Sequence, residues 1–335
     1  MEVKRKEILT CLESVKPAVA TSNPLSEQQT HFIFNKEVVI GYNDDVVIIH
    51  PFVSGLRCSV VADKFLKTIS KIKQEELEIK FKEEKIKIKT KDTVAEFTTT
   101  DNKEMLEIIE RLSIPEKGWK KLPKDFLDGL ELCVFSAGDN MLEPHLTGIH
   151  IKGKNIVSSD DFRISRFIME EEMKCDVLIP ATSISTLLKM NVKRYLINDT
   201  WAFFKTAENI IFGSRRLSFD YPDTSEFLKL KGITIKLPSE LSELIEKAAI
   251  IIETAHSQDD TVEITLFENL ATCKAEGPNG KIKTKIKTKE VYEQMIFSVN
   301  PTFMLRILKE TNEMIYSEDK IKFVIDDNFE HIIAL

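Results

Sequence analysis

No apolar run in the 335 residues approaches the roughly 18 that a membrane helix needs, so no membrane partner is expected. The opening stretch, MEVKRKEILTCLESVK, lacks the apolar core of a signal peptide. Cysteine is scarce: Cys11, Cys58, Cys133, Cys175 and Cys273 are odd in number, widely spaced and never in a CxxC pair. That pattern speaks against a disulfide framework or a zinc site and for buried or free thiols in a reducing cytoplasm. There is no GxSxG elbow, no Gly-rich phosphate loop with Lys-Ser/Thr and no HExxH, so no catalytic constellation is legible. We expect no enzyme, no cofactor and no metal. His145 and His150, five apart in an expected strand region, should face opposite sides, and GPNGK at 277 reads as a turn. Basic charge is in deficit, 47 Lys and Arg against 54 Asp and Glu, which by itself argues against a generic nucleic-acid binder.

What is present is a pattern that recurs. Helical stripes with i, i+3/i+4, i+7 spacing begin at Ile8-Leu9-Leu12-Val15, at Phe126-Leu127-Leu130-Val134 and at Leu241-Leu244-Ile245-Ala248-Ala249. Each follows a short strand-like lead: MEVK, KKLP and ITIKLP. A second set, RCSVVADKFLKTISKI from 57, CDVLIPATSISTLLKM from 175 and MIFSVNPTFMLRILKE from 295, reads as strand, small polar cap and amphipathic helix of about three turns. Alternating strands fill 32 to 50, 149 to 167 and 262 to 286. Hairpin patterns follow the second helix of each unit, and alternation over such lengths argues antiparallel sheet with one wet face. The chain therefore divides into three similar units: 1–117, 118–230 (with the linker around FDYPDTSEF) and 231–335. KEMLEIIERL adds a helix between the first two.

Two strings at equivalent places raise a question of chemistry. NIVSSDDFRISRF at 155 and VVIGYNDDVVII at 38 each set paired aspartates at a strand end. Asp160, Asp161, Asp44 and Asp45 read as turn residues, because Asp bonds its own backbone and tolerates unusual dihedrals.

The order of these units resembles the bacterial DNA polymerase III β subunit, the sliding clamp. LTGIHIKGKNIVSSDDFRISRF is similar to the family's strand-turn-strand ending Thr-Asp-Gly-His-Arg-Leu. IIFGSRRLSFDYPDT is similar to its Ser-Arg and Phe-Pro-Asp-Tyr linker, LSELIEKAAIII to its third-domain helix, and HIIAL to its apolar tail. The resemblance implies an α+β DNA-clamp fold: three tandem domains, each with two inner helices on outer antiparallel sheets. It further implies that two copies form a ring around double-stranded DNA, and that polymerase and clamp loader bind through short peptides. An interaction scaffold with this fold but no ring closure is the alternative.

By the same resemblance, a peptide pocket is expected from Leu146, Ser159, Asp161, Phe162, Arg163 and Ile164. Pro222, Glu226 and Phe227 of the linker and Phe329, His331, Ile332, Ile333, Ala334 and Leu335 of the tail should complete it. Asp161-Phe162 stands where the family has Gly-His and Ile332-Ile333-Ala334 where it has Pro-Met-Arg, so peptides other than the Gln-Leu-x-Leu-Phe type are expected. The homodimer contact is expected from Phe97 and Thr99 against Ile250 and Ile251, with Thr99 smaller than the family would place there. DNA should be faced by Lys4, Arg5, Lys64, Lys67, Lys71, Lys189, Arg194 and Arg306. Of the six expected helical segments, 4–16, 62–73, 181–194 and 300–311 are net basic, while 122–138 and 238–253 are net acidic. That asymmetry favours a mildly basic helical lining inside an acidic shell.

Overall fold

The computed structural model describes residues 1–21, 24–252, 260–278 and 280–335. Glu253, at the end of the expected segment 238–253, and Asn279, within the expected turn at 277, lie outside the described residues.

One element order occurs three times. The first pass runs β1 (Glu2–Lys4), α1 (Arg5–Val15), β2 (His31–Asn35), β3 (Val38–Tyr42), β4 (Val46–Pro51), β5 (Arg57–Val61), α2 (Ala62–Lys71), β6 (Glu76–Lys82), β7 (Lys85–Lys89) and β8 (Val94–Thr98). The helix α3 (Lys103–Arg111) follows. The second pass has β9 (Lys120–Lys121), α4 (Phe126–Val134), β10 (Gly148–Ser159), β11 (Arg163–Pro180), α5 (Ala181–Leu187), β12 (Val192–Ile197), β13 (Trp201–Thr206) and β14 (Ile211–Arg215). The third has β15 (Ile233–Lys236), α6 (Leu241–Ala249), β16 (Val262–Gly277), β17 (Gly280–Val299), α7 (Pro301–Ile307), β18 (Glu313–Tyr316), β19 (Lys320–Ile325) and β20 (Phe329–Ala334).

The chain forms two compact bodies, Met1–Phe126 with Met173–Phe219 and Leu127–Glu172 with Asp220–Leu335. These bodies cut across the three-unit reading, because strands of successive units share sheets. In the first body β14 pairs antiparallel with β4, which merges two four-strand sets into one sheet of order β5-β2-β3-β4-β14-β13-β12-β9. In the second body β11 pairs with β20 in the sheet β10-β11-β20-β19-β18-β15. A four-stranded sheet, β1-β6-β7-β8, and the ribbon β16-β17 complete the strands.

In the first body the expectation of a wet sheet face fails at the centre. β2 and β3 are buried on nearly every residue. One face, Ile40 and Tyr42, packs with Met105 and Ile109 of α3. The other meets α1, where a Cβ on Gly41 would come within 2.7 Å of Val15 O. A sheet covered on both sides needs continuous apolar runs, which is why VVIGY does not alternate.

In the second body α6 buries Leu241, Leu244, Ile245 and Ala248. It packs on the β16-β17 ribbon, where Thr284 Oγ1 donates to Leu244 O at 3.3 Å.

Two helices are shorter than expected. α5 and α7 have seven residues each, about two turns, and a side-chain cap is found only on α7, where Asn300 accepts from Thr302 and Phe303 N–H. After α5 the backbone turns back at Lys189-Met190, and VKRYLI, rich in strand-forming side chains, joins the sheet as β12. Arg194 is therefore a strand residue and not a helical one, and Lys189 sits in the turn. Lys4 likewise ends β1 rather than opening α1.

Candidate functional site

The second body holds a cavity of about 470 Å³ built around the turn between β10 and β11. Asp160 makes that turn. Its Oδ1 accepts the N–H groups of Phe162 and Arg163 at 2.9 and 2.8 Å, and its Oδ2 accepts Arg163 Nε at 2.9 Å. The paired aspartates are thus turn chemistry at Asp160, with Asp161 left exposed at the rim. Asp44, with φ of 68°, does the equivalent work in the first body, accepting from Tyr42 Oη and Gln29 Nε2.

Arg163 does not reach into solvent. Its side chain is 12% exposed and its guanidinium lies 3.8 Å from the Phe303 ring centroid and 5.7 Å from that of Phe135. Burial pulls its pKa below the usual arginine value, against the opposing pull of Asp160. It acts as a strut beneath the cavity.

The cavity wall is apolar at its base. Val157, Ile164, Leu228 and Ile332 form one buried cluster against which Tyr221 packs. Leu146, Phe162, Pro222, Phe227 and Ala334 extend it, and Phe227 is 61% exposed. The linker is held down by Lys322, whose Nζ donates to Leu228 O at 2.9 Å and also pairs with Glu330. Glu330 binds Arg166 as well. Burial alone would raise its pKa, but hydrogen bonds from Lys322 and Arg166 win and hold it below the usual glutamate range.

Period-2 alternation divides the tail residues. Ile332 and Ala334 line the cavity. Phe329, His331 and Ile333, expected there too, are 1%, 0% and 1% exposed and do not line it. His331 Nδ1 shares a hydrogen bond with Ser165 Oγ at 2.8 Å, and burial, aided by the Arg163 charge, pushes its pKa down to about 3. Leu335 and Glu226 also stand off the wall; Leu335 N–H is spent on Asp319 O and Glu226 on Lys229. Ser159 lines it as expected. Sequence reasoning missed His145, Asp160, Asp223, Thr224, Asp319 and Lys320. His145 lies in a 3-10 turn, Pro144–Leu146, rather than on a strand. Turn and linker residues carry no periodicity, so no sequence signal marked them.

A larger cavity, about 740 Å³, lies in the first body at the equivalent turn, Asn43, Asp44 and Asp45. Glu13, Lys16 and Arg215 line it too, and this ionic wall suits apolar anchors less well than the smaller cavity does.

The expected DNA-facing residues are scattered among elements. Lys64 and Lys71 are exposed on α2, and Lys67 pairs with Asp63 at 2.9 Å. Lys4 sits 3.9 Å from Glu7, and Arg5 opens α1. Arg306 is otherwise engaged: it pairs with Glu310 and lies 4.9 Å over the Phe135 ring. At the expected dimer contact, Phe97 is half-buried and packs edge-on against Phe65 at 5.0 Å, and Thr99 Oγ1 donates to Glu84 O. Ile250 is 73% exposed, and Ile251 is half-buried beneath Gly277, where any Cβ would strike its carbonyl at 2.2 Å.

Among the described residues no cluster of His, Cys, Asp and Glu is placed to hold a metal. Burial raises every cysteine thiol, Cys11 and Cys273 to about 12 and Cys58 and Cys175 to about 11, far from a nucleophile's range. No helix among the described residues is long and apolar enough to cross a membrane.

No family model matches the chain. It is 27% identical over 197 residues to the beta sliding clamp of Streptococcus pneumoniae serotype 4, covering 53% of this chain and 51% of that protein. It is 24% identical over 206 residues to the beta sliding clamp of Bacillus subtilis, covering 56% and 54%. The matched segment thus spans about half the length of these curated relatives. In three dimensions the likeness covers the whole chain. The DNA polymerase III beta chain of S. pneumoniae superposes with a TM-score of 0.84 at 21% identity, over 99% of this chain and 98% of that one. The B. subtilis sliding clamp gives 0.81 at 19%, over 99% and 97%. A Helicobacter pylori beta clamp, solved with a DNA ligase peptide bound, gives 0.82 at 17%, over 100% and 98%. The chain has the DNA-clamp fold from end to end.

Proposed function

We propose that this chain is a DNA sliding clamp, two copies of which close head to tail around duplex DNA and tether a polymerase to its template. The observation that carries this reading is one of unspent strand edges. β14 and β20, each the last strand of its set, pair with the preceding unit's β4 and with Arg163–Phe167 of β11. β8 holds the same place in the first unit and ends its sheet unpaired. The first half of β17 holds the place of β4 in the third unit, and β17 pairs only with β16. One junction per chain is left open, and a second copy supplies the missing half of each. The domains are then 1–117, 118–230 and 231–335, and Phe97 meets Ile250 and Ile251 of the second copy.

The 470 Å³ cavity is the docking site for short peptides of the polymerase, the clamp loader and other replication proteins, a reading supported by the ligase peptide on the H. pylori clamp. Lys4, Arg5, Lys64, Lys67, Lys71 and Lys189 give weak, sequence-independent phosphate contacts that permit sliding. The protein performs no chemistry of its own. It raises the effective concentration of polymerase at the primer end, in the cytoplasm. The test is retention on circular duplex after loading: protein should stay at salt that strips it from linear duplex. Equal loss from both would end the topological reading.

A second reading, a scaffold with this fold that does not close, is favoured by Phe97 and Thr99, which spend their contacts inside their own chain. Sedimentation at micromolar concentration separates the two, at twice 38.4 kDa or once.

A further inference from the structure

The ribbon β16-β17 carries a line of lysines that nothing in the chain neutralises. Lys281, Lys283, Lys285, Lys287 and Lys289 occupy alternate positions of β17, so all five share one face. The intervening Ile282, Thr284 and Ile286 pair with Ala275, Cys273 and Ala271 on the other face, the one packed on α6. The lysines therefore stand on the face turned away from that helix, and all are exposed.

Their neighbours do not compensate them. Only Lys281 has a carboxylate opposite, Glu276, at 2.7 Å. Lys283 faces Lys274, Lys285 faces Thr272 and Lys287 faces Leu270. Lys274 is itself occupied by Glu263. A like-charged cross-strand pair destabilises a ribbon, so Lys283 opposite Lys274 is a cost that the fold carries. The lysine run of β7 is different: Lys87 pairs with Glu96 at 2.9 Å, and Lys89 stands opposite Glu78. Keeping an edge strand from aggregating needs one or two charges, and β7 shows that such a run is readily balanced.

We propose that the outward face of β17, centred on Lys283, Lys285 and Lys287, is a second nucleic-acid site that binds a phosphodiester backbone. The lysines are spaced about 6.8 Å apart along a straight strand, which suits a linear polyanion. The face offers no aromatic ring at positions 270 to 276 or 281 to 289, so bases are not stacked or read, and contact is to phosphate alone. The site is independent of ring closure.

The test is fluorescence anisotropy with linear oligonucleotides, single-stranded and duplex, on the full chain and on K283E/K285E/K287E, with a K64E/K71E variant of α2 as comparison. The triple variant is expected to bind at least about tenfold more weakly at low salt. Its plot of log affinity against log salt should be shallower by about 2 on single strands and nearer 3 on duplex, from three lost phosphate contacts. The tighter of the two probes identifies the source of the backbone. K283Q/K285Q/K287Q, with thermal unfolding followed alongside, separates lost charge from lost fold and should give a smaller loss in the same direction. An unchanged salt slope in both triple variants overturns the site. So does tight binding of a poly-glutamate peptide with none of either oligonucleotide, which would assign the face to an acidic protein segment. Retention on loaded circles should be unaffected by the triple substitution, so the two proposals fail separately.

Discussion

Arg163 Nε donates to Asp160 Oδ2 at 2.9 Å across a turn that the same carboxylate builds, and both side chains are nearly buried, 12% and 6% exposed. The pair sets the floor of the peptide cavity. Removing Asp160 leaves a guanidinium between two phenyl rings with no counter-charge. D160A should cost about 3 kcal/mol of unfolding free energy, and D160N, which keeps the acceptor for the two N–H groups, about half that. Urea titrations measure both. A D160A midpoint equal to wild type would show that the pair does not support the turn.

His331 predicts an acid sensitivity. Its folded pKa, pushed down to about 3 by burial, lies below the roughly 6.5 of an unfolded histidine. The unfolded chain therefore binds the extra proton between those values, and the stabilisation is complete above pH 6.5 and declines as pH falls toward 3. The loss should reach roughly 3 kcal/mol at pH 4. H331Q should be less stable at pH 7 but flatter between pH 6.5 and 4. Parallel profiles for the two proteins would remove His331 as the cause.

Ile250, 73% exposed, and Ile251 beside it are expected at the dimer contact. Burying each contributes about 2 kcal/mol, so I250K/I251K should shift sedimentation at micromolar concentration from dimer to a 38.4 kDa monomer. A double variant that still sediments like wild type would place the interface elsewhere.

Phe227 and Ala334 border the cavity without supporting the sheet by their side chains. F227A and A334D should each weaken capture of a Gln-Leu-x-Leu-Phe peptide at least tenfold, with little change in stability. The rim carries Asp161, Asp223 and Asp319 against Lys320. A lysine flanking the apolar anchors should tighten binding a few-fold at low salt, and less so as salt screens it. A peptide indifferent to both substitutions would not be using this cavity.

The element order was legible because it rests on local pattern. Alternation at period 2, apolar stripes at 3.6, and their threefold recurrence placed α1, α4 and α6 and the three closing hairpins before any coordinate was known. The turn role of Asp160 was legible for the same reason: it depends only on residues 160 to 163.

Other features were decided by tertiary structure. Backbone hydrogen bonds between sheet edges do not depend on side-chain identity, so no residue announced that β14 would pair with β4 or β11 with β20. Alternation says that His331 and Ile332 face opposite ways but not which face is covered, and only the packing against Ser136, Phe135 and Phe323 put His331 inside. Arg194 and Arg306 look alike as basic residues near helices. The turn at Lys189-Met190 sends the first into a strand, and Glu310 with the Phe135 ring occupies the second. Sequence period sets what each segment is, because that is governed by neighbours a few residues away; which partner each edge and face meets is set by contacts hundreds of residues apart.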